Sequence, residues 1–215
     1  MTGATLLDLL MSRLGNRTEA TLRETCLNEM ILVQETLEKS AVLPWFLISE
    51  ELSTVTPSDG VERRVEVPPR FLREINEDAF IILDADGNDH PLDRYDLGAL
   101  IRKYGRHTAA DLPKAYALQG EYYHLFPIPS VELPVYIRCY QSADTPTDSS
   151  AENAWMKNAP DLLMAMTGKV VAGRHLKDPD LETLFTGDIG PAQDRLIREN
   201  TAREESGRDR QMGES

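Results

Sequence analysis

Cysteine, basic charge and long apolar runs are all scarce in this sequence, and each scarcity excludes a class of protein. The two cysteines, Cys26 and Cys139, lie far apart, and each sits in an apolar-periodic stretch where a thiol behaves as a small hydrophobe. We interpret both as buried thiols rather than as a disulfide or metal ligands. No stretch approaches the roughly 18 apolar residues that span a bilayer, so we predict no membrane partner.

Basic residues are outnumbered, with 23 lysines and arginines against 36 acidic residues and a net charge of -13. Such a surface repels phosphate, which argues against wrapping nucleic acid in a basic groove. The same excess of negative charge would suit the lining of a channel through which DNA passes without binding. The start of the chain lacks the basic residues of a signal peptide and carries Asp8 in its apolar run, so we expect synthesis in a reducing cytoplasm.

At 215 residues the chain is long enough for one domain with a sizeable core, or for one domain that carries a smaller insertion. Its first forty residues predict two helices separated by Gly15-Asn16. The second begins near Thr18. Its apolar face, at three- and four-residue spacing, carries Leu22, Cys26, Met30, Val33 and Leu37. The opposite face, which we expect to be wet, carries Arg23, Glu24, Glu29, Glu35 and Glu38.

Short strands joined by turns are predicted from about residue 44 to 141. Three hairpins are expected: residues 52–56 with 63–67, residues 80–83 with 90–92, and residues 115–118 with 122–126 around Gly120. A last strand follows at 135–140, and a short helix is predicted within 93–104. The pattern favours an antiparallel meander.

Helical spacing returns after a polar loop at residues 141–153. One helix is predicted to open at Asn158 or Pro160, another at Asp178 to Asp180, and a last one after Gly190-Pro191. Residues 201–215 are so polar that, alone, they should be disordered. We therefore predict an α+β protein: a helical bundle from both ends of the chain (1–43 and 142–200), an inserted antiparallel, sandwich-like β-rich region (44–141), and a polar extension (201–215) that docks on a partner.

Few residues suggest chemistry. Residues 84–88 imitate the start of a calcium loop, but the glycine and glutamate that a full loop needs are replaced by Asp89 and Tyr95, so a hairpin turn is the better interpretation. His90, His107, His124 and His175 form no close ligand pair. No phosphate-binding glycine loop or nucleophile elbow is present. We predict no catalytic residues, no cofactor and no metal.

A set of short junction phrases recurs in a specific order. They stand at residues 43–47 (Leu-Pro-Trp-Phe-Leu), 67–74, 116–120, 125–129, 153–156 and 159–165 (Ala-Pro-Asp-Leu-Leu-Met-Ala). This order resembles the head-to-tail adaptor (connector) proteins of tailed bacteriophages, over about residues 17–200.

The resemblance implies a structural virion protein and not an enzyme. Such adaptors form a ring, usually of twelve copies, beneath the portal protein, join it to tail or nozzle proteins in the neck of the virion, and let DNA pass without specific binding. A C-terminal extension commonly reaches the portal. The residues that we expect to contact partners are Leu6, Leu10, Leu14, Trp45, Phe46, Trp155, Arg203, Arg208, Arg210 and Met212.

Two other functions stay open. A hydrolase, for example one that degrades cell walls, could use a pair of carboxylates in the β-rich region. A non-viral interaction module such as a chaperone would also fit a chain without an obvious catalytic set.

Overall fold

The computed structural model describes residues 1–55, 64–75, 78–84, 86–105, 111–129 and 131–212, with side chains described up to residue 203. The chain is α+β, as its sequence predicts, and its sheets are mainly antiparallel. Contacts divide it into two compact units. The helical unit comprises Met1–Leu47 and Ser142–Ser215, and the β unit comprises Ile48–Gln141.

The helices are α1 (Gly3–Arg13), α2 (Ala20–Glu38), α3 (Leu97–Tyr104), α4 (Ala154–Asn158), α5 (Pro160–Val170) and α6 (Pro179–Met212). A 3-10 turn covers Trp45–Leu47, and a π-helical segment covers Val171–Leu176. The strands are β1 (Ile48–Val55), β2 (Arg64–Glu66), β3 (Phe71–Glu74), β4 (Phe80–Leu83), β5 (Asp89–Pro91), β6 (Asp93–Arg94), β7 (Ala115–Gln119), β8 (Tyr122–Phe126) and β9 (Leu133–Gln141).

The first two helices follow their predicted pattern. The Thr2 hydroxyl accepts a hydrogen bond from the Thr5 N–H and caps α1, and the chain then turns through Gly15 and Asn16, both at positive φ. The apolar face of α2 is buried as expected at Leu22, Cys26, Met30 and Val33. The periodicity therefore locates the core face of both helices.

The C-terminal helices differ from the prediction at two places. Gly190-Pro191 does not separate two helices, because α6 continues through Pro191. The carbonyl that a proline at this position leaves without its N–H partner belongs to Gly187, which is exposed and can be hydrated. The polar stretch after Asn200 is also helical, up to Met212, and not disordered. Its alanine, arginines, glutamates and glutamine are strong helix formers, so local propensity outweighs the lack of apolar residues.

Glycine permits two close approaches in the helical unit. A Cβ at Gly168 would lie 2.4 Å from Cε1 of Phe185, so the α5 backbone packs directly on this wholly buried ring of α6. A Cβ at Gly3 would lie 1.9 Å from the Thr147 carbonyl oxygen. The Gly3 N–H donates to the Ala151 oxygen (3.0 Å), which joins the start of α1 to the loop before α4.

The β unit contains two sheets. One has the order β1-β9-β4-β5, with β3 also pairing with β9, and the other has the order β2-β8-β7-β6. The predicted hairpins β4–β5 and β7–β8 are confirmed, the latter with Gly120 at positive φ in its turn.

The hairpin predicted from residues 52–56 and 63–67 is wrong. Strand β1 pairs with β9 and β2 pairs with β8, so the two strands belong to different sheets. The turn that this hairpin would need, at residues 58–60, lies outside the described residues. The simple meander is also wrong, because β9 takes distant partners and β6 runs parallel to β7. Period-two patterns identify strands but not their partners, which here lie up to about ninety residues away.

Both sheets contribute to one core. Its largest members are Phe80, Tyr116 and Tyr123, whose rings lie 5.1 to 5.8 Å apart between centroids. Strand β9 alternates strictly between buried and partly exposed residues. The short helix predicted within 93–104 begins later than expected, at Leu97, because Asp96 accepts from the Ala99 N–H as its cap while residues 93–94 form β6.

Candidate functional site

The apolar face of α1 does not form an interaction surface. Leu6, Leu10 and Leu14 are wholly buried within this chain. The structure therefore corrects the expectation that these leucines contact a partner, since a partner could reach them only by displacing the core of the helical unit. Their helical spacing identifies these leucines as one apolar face, but it could not tell whether the covering surface belongs to the same chain.

Trp155 is corrected in the same way, because it is also buried, at 1% exposure. Phe46 packs edge-on against it, with ring centroids 5.0 Å apart, and Trp45 packs edge-on against Phe46 at 5.7 Å. Trp45 and Phe46 keep part of their surface exposed. The three rings form an aromatic cluster that runs from the inside of the helical unit to its surface.

The second half of α6 reaches this aromatic cluster. The Arg203 guanidinium carbon lies 3.5 Å from the centroid of the Trp45 ring, and the Trp45 backbone N–H donates to Oδ1 of Asn200 at 3.1 Å. Arg203 is thus held against the chain's own surface. The backbone of Arg208, Arg210 and Met212 belongs to α6, whereas their side chains lie outside the described part.

Large apolar side chains other than the predicted ones are exposed on the helical unit. They are Met1, Leu9, Leu32, Val42, Leu184 and Ile197. Leu9 and Leu32 lie on α1 and α2, and Leu184 and Ile197 lie on α6. These residues replace Leu6, Leu10, Leu14 and Trp155 as candidates for contact with another molecule.

A buried carboxylate, Glu38, organises the helical unit. It is 6% exposed, although the helical pattern placed it on the wet face of α2. Its Oε1 accepts from the Trp155 indole N–H (2.9 Å) and the Ala143 N–H (3.0 Å), and its Oε2 accepts from the Ser142 hydroxyl (2.6 Å). Glu38 thereby holds the segment that contains Ser142, Ala143 and Trp155 against α2.

Gln34, one turn earlier on α2, extends this polar network. Its amide oxygen accepts from Nδ2 of Asn153 at 2.8 Å, and its Nε2 donates to the Ala143 oxygen at 3.2 Å. Asn153 in turn caps α4 by accepting from the Met156 N–H at 2.8 Å. The sequence analysis did not predict that Gln34 and Glu38 are buried. The available signal was their four-residue spacing, which places both at one edge of the apolar face of α2.

Arg23 joins three segments of the helical unit at its surface. Its Nε and Nη2 donate to the two carboxylate oxygens of Asp148, at 2.6 and 2.7 Å, and its Nη1 donates to Asp8 at 2.6 Å. The Arg23 guanidinium lowers the pKa of the Asp148 carboxyl, mainly through the hydrogen bonds. This arrangement is structural, because the described acceptors already occupy the guanidinium.

The calcium-like segment forms a turn. Oδ1 of Asp84 accepts from the backbone N–H groups of Asp86 and Asn88, each at 2.9 Å, and Oδ2 lies 2.8 Å from Nε2 of His90. Hydrogen bonds from His90 and Asn88 hold the pKa of Asp84 well below its usual value. Within the described ranges, no three histidine, cysteine or carboxylate side chains converge in a way that could hold a metal ion.

Among the described residues, the β unit contains one further buried carboxylate, that of Glu74 on β3, whose side chain is 3% exposed. Its Oε2 pairs with Nη1 of Arg94 on β6 at 2.8 Å, and the Tyr116 hydroxyl on β7 also interacts with the carboxylate. Burial is the dominant effect and raises the pKa of Glu74. The neighbouring Tyr123 hydroxyl is buried without a partner among the described residues.

The cysteines and the remaining histidines add no convergent chemistry. Burial raises the pKa of both Cys26 and Cys139 to about 11, so both stay protonated at neutral pH. His175 pairs with Glu29 at 2.8 Å, His124 lies on β8, and His107 lies outside the described residues. In the described part of the chain, none of these groups belongs to a cluster that could hold a metal ion.

Comparison with known proteins identifies no family for this chain. No protein-family model matches this chain, and a search of curated proteins also finds no match. In the part of the chain that the structure describes, no helix has both the length and the apolar character needed to cross a membrane.

Proposed function

We propose that this chain is a head-to-tail adaptor of a tailed bacteriophage, a structural protein of the virion neck. In this proposal twelve copies form a ring beneath the portal protein, join it to tail or nozzle proteins, and let DNA pass through the lumen without specific binding. The observation that carries the proposal is the helical unit itself. Both ends of the chain build it, and α6 extends well beyond the helix that covers it.

The chain's own residues contact α6 as far as Asn200 and Arg203, yet α6 is much longer than α5 and part of its apolar surface stays exposed. Helix α6 has 34 residues and α5 has 11, which correspond to about 51 Å and 16 Å at 1.5 Å per residue. Phe185 and Ala192 on α6 are buried, whereas Leu184 and Ile197 are exposed. Exposed apolar residues on a long helix are unfavourable in an isolated subunit. In a ring, a neighbouring copy can cover them.

We also propose a finer architecture, a helical bundle into which a sandwich-like β region is inserted. The division of the chain into a discontinuous helical unit and a continuous β unit supports it, as does the core that both sheets share. This is the architecture that the resemblance to adaptors implies.

Contacts between copies must overcome repulsion between subunits that each carry a net charge of -13. We assign these contacts to the exposed apolar residues of α2 and α6. Charge can assist locally, because the exposed side of α2 carries Glu24 while α6 carries Arg198. Beyond Arg203, α6 would dock on the portal.

The proposal is tested by mixing the purified chain with the portal protein encoded in the same genome and imaging the products by negative-stain electron microscopy. We expect the chain alone to be monomeric or weakly associated and to form a ring on the portal. A monodisperse monomer that does not bind the portal protein would contradict the proposal.

A matched pair of variants localises the interface. Ile197 on α6 is 55% exposed and Val131 in the β unit is 56% exposed, so Ile197→Asp and Val131→Asp introduce the same charge at equally accessible sites. Ile197→Asp should reduce ring formation at least tenfold, and Val131→Asp should not. Equal effects of the two variants would remove the assignment of the interface to α6.

A hydrolase is the second candidate, and one observation favours it. Asp78 and Asp93 line the same cavity as Glu74, whose raised pKa suits a general acid. Turnover of peptidoglycan or model esters that disappears in Glu74→Gln would establish this function. No turnover above the level of Glu74→Gln would exclude it.

A further inference from the structure

Strand β1 lies at one end of the sheet order β1-β9-β4-β5, so one of its two sides has no neighbouring strand among the described residues. It is eight residues long and pairs with β9 along its whole length. An edge strand presents unpaired backbone N–H and C=O groups on its free side. Such groups can bind another extended chain through the hydrogen bonds that join strands within a sheet.

The pairing with β9 identifies which backbone groups face the free side. The Arg138 N–H donates to the Ala79 oxygen at 2.8 Å, on the β4 side of β9. Glu50 lies opposite Arg138, so the backbone groups of Glu50 point away from β9. Orientation alternates along antiparallel strands, and the free side therefore presents the backbone groups of Ile48, Glu50, Leu52 and Thr54. Within the described ranges, these groups donate to and accept from no other backbone group.

The other strands with a free side are shorter or interrupted. Strand β5 has three residues and includes Pro91, which has no N–H, and β2 and β6 have three and two residues. Strand β3 has four residues and a shift in its register with β9. Short strands, prolines and bulges prevent pairing between sheet edges. Strand β1 has an unbroken register and contains no proline, lysine or arginine.

The side chains of β1 permit a further strand beside it. Leu52, in the middle of the strand, is 63% exposed. The carboxylate of Glu50 lies 3.4 Å from Nε of Arg138, and Oε1 of Glu51 accepts from Nε2 of Gln141 at 2.6 Å. Both acidic side chains thus have partners on β9, which reduces the charge that would otherwise repel another strand.

We propose that β1 pairs antiparallel with β1 of a second copy of this chain, so that the two sheets form one continuous sheet across a two-fold axis. Within this chain, only β1 offers an edge long enough to cover another β1. With Leu52 opposite Leu52 of the other copy, Glu50 lies opposite Thr54 and Glu51 lies opposite Ser53. The free N–H and C=O groups then face each other and form about six hydrogen bonds.

Neighbouring registers are less favourable. A shift that places Glu51 opposite Glu51 sets two carboxylates against each other, and like charges in directly opposite positions are destabilising. A shift in the other direction, with Ser53 opposite Ser53, leaves only about five residues of each strand paired, at 3.3 Å per residue. The side chains of β1 therefore select a single register.

The pair is independent of the proposed adaptor role. A two-fold contact uses the same surface on both copies, whereas neighbours in a closed ring meet head to tail, so the β1 pair belongs to the free chain. Two short edges bury less surface than a stable dimer does, and each copy carries a net charge of -13. We therefore expect weak association, with a Kd on the order of 100 µM.

Sedimentation equilibrium of the full chain at about 5 to 500 µM tests the proposal. Leu52→Lys places two ammonium groups opposite each other and should raise the Kd at least tenfold. Ile197→Lys is the matched control, because Ile197 on α6 is 55% exposed, and it should leave the Kd unchanged. A monomer at every concentration, or equal effects of the two variants, would overturn the proposal. Loss of the dimer in Ile197→Lys alone would assign the contact to α6 instead.

Disulfide formation between copies tests the register. Opposite Cα atoms in a hydrogen-bonded pair lie about 5.5 Å apart, within the range of a disulfide. Leu52→Cys should therefore cross-link to itself on oxidation. Glu50→Cys should do so only when mixed with Thr54→Cys. The native Cys26 and Cys139 are buried and should not react. Efficient cross-linking of Glu50→Cys alone would contradict the register.

A proline on the free side tests the hydrogen bonds themselves. Thr54→Pro removes an N–H that β9 does not use, so the variant should fold, which circular dichroism checks. It should weaken the dimer severalfold, whereas Thr54→Val, which keeps the N–H, should not. Equal dimerisation of the two variants would show that side chains alone make the contact and would overturn strand pairing.

Discussion

Among the residues that the structure describes, each of the two units buries one glutamate, and the two side chains have different surroundings. Glu38 in the helical unit accepts three hydrogen bonds, from Ser142, Ala143 and Trp155. Glu74 in the β unit, on β3, instead pairs with the guanidinium of Arg94, on β6 of the other sheet. Uncharged donors therefore hold Glu38 in place, whereas a charged partner joins Glu74 to the second sheet. Burial alone does not separate the two roles.

The chromophores make this comparison measurable. Both tryptophans, Trp45 and Trp155, lie in the helical unit, and all seven tyrosines lie between residues 95 and 140 in the β unit. Tryptophan fluorescence therefore reports unfolding of the helical unit, and tyrosine absorbance reports unfolding of the β unit.

The largest expected effect is that of Glu38→Ala. It leaves one buried and one half-buried N–H group and one hydroxyl without their acceptor, so the free energy of unfolding of the helical unit should fall by about 3 kcal/mol. Urea unfolding followed by tryptophan fluorescence measures it. Glu24→Ala on the exposed face of α2 is the matched control and should change the free energy by less than about 0.5 kcal/mol. Equal effects of the two variants would show that Glu38 is exposed to solvent in the folded protein, contrary to the structure.

A smaller loss is expected from Gly168→Ala. The added Cβ would meet the Phe185 ring at 2.4 Å, and overpacking of this kind typically costs about 1–3 kcal/mol. Gly187→Ala on α6 is the control, because a Cβ there has open space around it and alanine favours a helix by about 0.5–1 kcal/mol. The two variants should shift the tryptophan-detected transition in opposite directions. A gain in both would mean that α5 and α6 are not in close contact at Gly168.

The smallest effect on stability is expected from Glu74→Gln. Tyrosine absorbance measures the unfolding of the β unit in this variant. Burial raises the pKa of Glu74 above its ordinary value of 4.5, so the folded unit binds more protons than the unfolded chain above that pH. Stability contributed by the protonated group is therefore lost as the pH rises from about 4.5 through the folded pKa. Glu74→Gln should lack this loss and equal or exceed the unaltered chain at pH 7.5.

The pH series also separates the two glutamates. A loss in Glu74→Gln of more than about 1 kcal/mol at pH 7.5, comparable to that of a fully bonded carboxylate, would show that Glu74 is as well satisfied as Glu38.

What the sequence predicted well was local. The helical faces of α1 and α2 and the hairpins β4–β5 and β7–β8 depend on residues close together in the chain, and their positions were largely correct. The pairing of β1 with β9 joins Ile48 to Tyr140 and depends on the whole fold, so no local pattern could reveal it.

The site residues show the same limit. Glu38 looks like a solvated charge within α2, and only the return of the chain at Ser142 and Trp155 buries it. Leu6, Leu10 and Leu14 were correctly identified as a face to be covered, but the covering surface belongs to their own chain. Glu74 carries no signal in the sequence, because its burial requires strands from both sheets.

The measurement that most directly tests the account is an electron cryomicroscopy map of the chain assembled on its portal. We predict a closed ring in which α2 and α6 of neighbouring copies meet, with Leu32 and Ile197 covered and the end of α6 against the portal. Copies joined through their β units alone, with both residues still exposed to solvent, would contradict it.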